Sequence, residues 1–125
     1  MKVQIEITDL PLAGEGTTGA DGASGAIVEF AGIVRPTEGE QPIAALHYQA
    51  YDAMARSEME RILRELESRF PCHYVQVKHR KGRVAVGEAA IVVRVEAKHR
   101  AEAFGMLAAF MDRLKKEVPI WKVQP

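Results

Sequence analysis

The chain has 125 residues, and its 17 Lys or Arg balance 17 Asp or Glu to give no net charge. That length suits one domain burying roughly two-thirds of its unfolded surface around a single core. The charge balance excludes a global field that would draw nucleic acid or an acidic membrane, so any anion must be held by a local cluster.

In chain order, residues 2–8 alternate Val3, Ile5 and Ile7 with polar residues, the period of a strand with one buried face. Residues 11–25 are rich in glycine and read as a mobile loop. "AIVEFAGIVR" (26–35) is β-branched and mostly apolar, a buried strand leading into the turn "PTEGEQP". "IAALHYQAY" (43–51) is the returning strand. From Ala53 to Phe70 the period becomes helical, with Ala55, Met59, Ile62, Leu63, Leu66 and Phe70 on one face and Asp52 as the expected N-cap. Pro71 follows the end of that helix. "CHYVQVKHR" (72–80) alternates again, "KGRVAVGE" (81–88) reads as a turn or short ribbon, and "AAIVVRVEA" (89–97) as a strand. A second, longer helix is expected from Lys98 to about Val118, stopped by Pro119, which disfavours helical geometry in the residue before it. "IWKVQ" closes the chain as a short extended piece.

From residue 42 onward the order is β-α-β-β-α-β, a split βαβ pattern preceded by two further strands. The class is therefore α+β with a mainly antiparallel sheet. The amino terminus lacks the apolar core of a signal peptide and no run is long enough to span a bilayer, so a soluble cytoplasmic protein is expected.

Several familiar signals fail on context. Gly14 to Gly19 match G-x-G-x-x-G, but no apolar helix opens behind them to face a pyrophosphate. Cys72 is the only cysteine, which excludes an internal disulfide and reads as a small buried hydrophobe. His47, His73, His79 and His99 show no helical pair and no neighbouring ligands at metal spacing, so no metal is expected; His73 and His79 have the spacing to share a strand face. The strands carry no aromatic RNA-binding signature.

The lysines of "LKKEVPIWK" (114–122) say more. On the second helix Phe104, Leu107, Ala108, Met111, Leu114 and Val118 form one stripe, with Lys115 at its edge and Lys116 pointing away. Helix-end charge complementing the dipole accounts for Lys116. For Lys115 a second reading stands beside that one: an ammonium against apolar walls tends towards the lowered pKa that a base or nucleophilic amine needs. His99 and Arg100, where the same helix begins, suit a phosphate or carboxylate, or simply a solvated helix start. Arg35, just before Pro36, is a further cation placed to face a pocket.

"GAIVEFAGIVR" (25–35), "HRKGRVAVGE" (79–88), "KHRAEAF" (98–104) and "MDRLKKEVPIWK" (111–122) together resemble the large, catalytic subunit of molybdopterin synthase, the MoaE family. The resemblance covers about residues 25–124. It implies a MoaE-type α/β hammerhead fold and an enzyme that converts cyclic pyranopterin monophosphate into dithiolene-bearing molybdopterin. Sulfur would arrive as a thiocarboxylate on the C-terminal glycine of a small ubiquitin-like carrier of the MoaD type, in a heterotetramer built on a homodimer of large subunits. No metal or other cofactor is implied for the transfer. Carried over by position, Lys115 and Lys122 become the catalytic lysines. Ile33, Val34, Arg35, His99 and Arg100 line the pterin and phosphate pocket, which Val123 and Gln124 extend. Two departures accompany the resemblance. The family usually continues past the W-K motif with a polar tail, whereas this sequence stops at Pro125, and His47 and Gln49 stand where glutamates are common. The competing expectation is a non-catalytic split βαβ module that binds a small anion or a partner's C-terminal tail.

Overall fold

The computed structural model describes residues 1–123. A four-stranded sheet has the order β1 (Lys2–Thr8), β6 (Tyr74–Arg80), β8 (Ala89–Ala97), β2 (Ala26–Ile33). β1 runs parallel to β6, and the remaining pairs are antiparallel. A second sheet places β5 (Ala45–Ala50) between β7 (Gly82–Ala85) and β9 (Ile120–Val123), all antiparallel. A two-residue ribbon, β3 (Thr37–Glu38) with β4 (Gln41–Pro42), fills the turn after β2. The α+β class with mainly antiparallel pairing is as expected, with the strands of the split pattern divided between two sheets. Helices α1 (Asp52–Leu66) and α2 (Arg100–Glu117) cover one face of the larger sheet, and no helix among the described residues is long and apolar enough to cross a membrane.

The core lies between those helices and the alternating positions Val75 and Val77 of β6 and Ile91, Val93 and Val95 of β8. On α1 the expected stripe, Ala55, Met59, Ile62, Leu63 and Leu66, is the buried one. The cap differs: Tyr51 is the N-cap residue without a side-chain bond, while Asp52 begins the helix and its carboxylate accepts from Lys81 Nζ at 2.8 Å. On α2 the buried stripe is Ala103, Met106, Phe110 and Leu114, and Phe104 is 57% exposed. The expected stripe is therefore turned by about one residue, or roughly 100°. α2 carries apolar residues on adjoining faces, and packing on the sheet decides which of them is inside.

The opposite face of the large sheet is polar. Arg94, 1% exposed, pairs with Glu96 at 2.9 Å and donates to the carbonyls of Gly16 and Thr18. Glu29 accepts from the backbone N–H of Glu15 at 2.9 Å. The glycine-rich segment has no helix or strand, as its composition predicts, yet a buried guanidinium and a carboxylate tie it to the sheet. Burial pushes the Cys72 thiol up to about 11, which fits its reading as a buried hydrophobe.

The helices are also joined by charge. Arg61 donates to Glu58 and Glu65, each at 2.6 Å, and to Glu117 at 2.9 Å; Arg113 donates to Glu117 at 2.6 Å and to Glu65 at 3.1 Å. Arg113 first, then Arg61, holds the Glu117 carboxyl down to about 2 from its ordinary 4.5. Below 4.5 the unfolded chain takes up this proton before the folded one, so stability falls as pH drops from about 4.5 to about 2. A pH series of melting temperatures should show that decline. It should flatten in Glu117→Gln, and shrink in high salt because these pairs are solvent-exposed.

Candidate functional site

A cleft of about 610 Å³ opens where the two sheets meet the C-terminal end of α2. Its formation begins in β2. The β2–β8 register shifts between Gly32 and Ile33, and a Cβ at Gly32 would lie 2.9 Å from the Ile91 side chain, so the strand bends at a residue without one. Val34 then continues the pairing by itself, donating to the Glu88 carbonyl at 3.0 Å and accepting from Gly87 N–H at 2.9 Å. Gly87 takes the left-handed φ of +88° that this turn needs. The result is that Ile33, Val34 and Arg35 all line the cleft.

α2 supplies Met111, Leu114 and Lys115 to the opposite wall. Leu114 is buried, whereas Lys115 is exposed to the cleft and makes no ion pair among the described residues. Lys116 does not line the cleft. Val118 leaves helical geometry at ψ 130°, and the Pro119 carbonyl accepts from Tyr51 N–H at 3.2 Å, starting the pairing of β9 with β5. That pairing sets Lys122 opposite Tyr48 and returns it to the cleft that Lys115 lines. Lys122 Nζ lies 3.2 Å from the Glu38 carboxylate. Trp121, also on the wall, packs edge-on against Tyr51 with ring centroids 5.2 Å apart.

Of the residues singled out in the sequence, Lys115, Lys122, Ile33, Val34 and Arg35 therefore meet in one cleft. His99 and Arg100 do not. They stand where α2 begins, fifteen residues and roughly 22 Å along the axis from Lys115, and His99 is 67% exposed with Glu102 at 3.9 Å. Val123 pairs with His47 on β5 and is not among the residues that line this cleft; Gln124 lies outside the described residues. His73 and His79 also part company: the first bonds Ser24 Oγ at 2.9 Å, and the second lines the cleft.

Sequence reasoning missed Glu38, Tyr48 and His79 as members of this site. The turn "PTEGEQP", the tetrad "HYQA" and the "HR" step carried them, but without a spacing that sets them apart from ordinary turn and strand residues. Burial, and after it Glu38, holds the Tyr48 phenol above its usual range, and burial pushes the His79 imidazole down. The three cations Arg35, Lys115 and Lys122 outnumber the one carboxylate, Glu38, so the cleft is locally cationic on a neutral chain. With an apolar floor of Val34, Leu46, Ala90 and Ile91, it suits a ring-bearing anion or an anionic chain end. No group of three or more His, Cys, Asp or Glu among the described residues is placed to hold a metal.

The family model described as "MoaE protein" matches residues 7–117. The chain belongs to the MoaE family. A molybdopterin synthase catalytic subunit of Pyrococcus abyssi is 47% identical over 80% of this chain and 68% of its own length. One from Nostoc is 38% identical over 82% of this chain and 62% of its own. Among solved structures, molybdopterin synthase from Staphylococcus aureus superposes with a TM-score of 0.86 at 27% identity, covering 96% of this chain and 90% of that one. The MoaE fold recurs at 22% identity, with a TM-score of 0.72, in the complex of subunits 1 and 2 of the molybdopterin-converting factor from Helicobacter pylori, over 96% of this chain and 82% of that one.

Proposed function

We propose that this chain is the catalytic subunit of a molybdopterin synthase, forming one MoaE-like domain over residues 1–125. It takes sulfur from the C-terminal thiocarboxylate of a small ubiquitin-like carrier and places it on cyclic pyranopterin monophosphate to form the dithiolene. The observation that carries this reading is the convergence of Lys115, Lys122 and Arg35 on one apolar-floored cleft, although the lysines come from α2 and β9 and the arginine follows β2. Both reactants are anionic, so cations in a partly desolvated cleft bind them and stabilise charge that develops as the sulfur is transferred. Arg35 offers a planar fork to a phosphate, and the two lysines supply mobile protons beside the reacting carbon.

In this reading the carrier's tail enters along the cleft and its sulfur attacks a side-chain carbon of the pterin, the new carbon–sulfur bond replacing a carbon–oxygen bond whose oxygen leaves as water or phosphate. The tail is then joined to the substrate as a thioester, and water releases the carrier as a carboxylate. Glu38 occupies Lys122 in the free protein and gives way when the thiocarboxylate or phosphate arrives. His99 and Arg100 are too far along α2 to serve the cleft of their own chain. A second copy, in the homodimer expected for the family, is the way they reach a pterin phosphate. The partner is read as a MoaD-type carrier, completing a heterotetramer.

Incubating the protein with thiocarboxylated carrier and cyclic pyranopterin monophosphate should yield a dithiolene product. Binding of both without turnover would favour the anion-binding or tail-binding module instead.

A further inference from the structure

His79 is buried, 7% exposed, at the end of β6 and on the helix-facing side of the large sheet. Its Nδ1 lies 2.8 Å from the carbonyl oxygen of Arg80. A carbonyl only accepts, so Nδ1 carries the proton and Nε2 keeps its lone pair. Nε2 has no hydrogen-bond partner among the described residues, and the ring forms part of the cleft wall in a T-shaped contact with Tyr48, centroids 5.4 Å apart.

The ionisable groups that share this cleft come from every side of it: Tyr48 on β5, Lys115 on α2, Lys122 on β9, Arg35 after β2 and Glu38 on β3. The neighbours in register on the adjoining strands, Ile7 and Ile91, are apolar, and Arg80 beside it is held against the Arg83 carbonyl at 3.0 Å. Three of the cleft groups are cations, the phenol is held protonated by burial, and the one carboxylate is engaged by Lys122. A neutral base with an open lone pair is left only at His79. Burial lowers its proton affinity, which keeps it neutral near pH 7.

We infer that His79 is a catalytic base for the step that frees the carrier, accepting at Nε2 a proton from the water that hydrolyses the carrier–pterin thioester. This rests on the function proposed above. Water oxygen bonds to the carbonyl carbon of the carrier's terminal glycine, the carbon–sulfur bond breaks, and the electron pair leaves with sulfur as a thiolate on the pterin. One water proton passes to Nε2 and from the imidazolium to that thiolate or to solvent, and the other is lost to solvent as the released acid ionises. The carrier departs as a carboxylate, and the step uses neither oxidant nor reductant. The lysines cannot take this part while they are protonated, which gives the cleft separate groups for holding anions and for accepting a proton.

The test is a single-turnover reaction with thiocarboxylated carrier and cyclic pyranopterin monophosphate, followed by intact mass. The His79→Gln protein should still join carrier to pterin, but the thioester adduct, cleavable by hydroxylamine, should accumulate and break down about 10²-fold more slowly or worse than in the unmodified protein. In the unmodified protein, which needs no substitution to fold, the adduct should live longer as pH falls below the ordinary imidazole range, and that acid limb should vanish in His79→Gln. A His79→Gln protein releasing product within twofold of the original rate without adduct would overturn the inference, as would adduct lifetimes independent of pH in the unmodified protein. If the unmodified protein consumes no thiocarboxylate at all, the function proposed above fails, and this inference with it.

Discussion

Replacing Lys115 with alanine should abolish dithiolene formation, a loss of about 10²–10⁴-fold, while leaving the protein folded. The side chain is exposed to the cleft and makes no ion pair among the described residues, so its removal should change stability by no more than about 0.5 kcal/mol. Lys116→Ala is the internal control. It removes the same charge one residue along the same helix, but from a position outside the cleft, and should leave product formation near normal. Comparing the two with purified thiocarboxylated carrier separates a chemical role from a general effect of charge at the end of α2. Near-normal product from Lys115→Ala would remove the lysine from the mechanism.

The second large effect concerns the core. Phe110 is fully buried between α2 and the sheet, and Phe110→Ala should cost about 3–5 kcal/mol through lost burial and the cavity left behind. Phe104→Ala, on the face that looks equally apolar in the sequence, should cost little because that ring is 57% exposed. Chemical denaturation of the two variants measures both. Equal losses would mean that α2 is turned differently on the sheet, and with it the direction in which Lys115 points.

That pair also marks where the sequence could and could not be read. Helix α1 has a single apolar stripe with charge on the other faces, so its buried residues follow from period alone. Helix α2 offers Ala103, Met106 and Phe110 beside Phe104, Leu107 and Met111, and local pattern does not choose between neighbouring stripes. Packing against Val93 and Val95 does. Lys115, exposed beside Leu114 near the helix end, lines the cleft in the orientation that this packing selects.

The site shows the same division. Arg35, Lys115 and Lys122 were legible because they belong to motifs whose joint occurrence is specific. Glu38, Tyr48 and His79 were not, because they become neighbours only through long-range pairing. β5 pairs with β9, the β3 ribbon folds back after β2, and β6 ends at the same cleft. Strand residues in ordinary alternation give no sign of which tertiary partner they will meet. The separation of His99 and Arg100 from the lysines has a similar origin. The family resemblance put them in one pocket, while the length of α2 sets them at opposite ends of that helix.

The most direct measurement of the central claim is the number of carrier thiocarboxylates converted to carboxylate for each dithiolene formed by this protein. A dithiolene holds two sulfurs, and each carrier delivers one, so the account predicts two carriers consumed per product, with consumption dependent on cyclic pyranopterin monophosphate. Carrier thiocarboxylate that stays intact while bound in the cleft beside the pterin would contradict it.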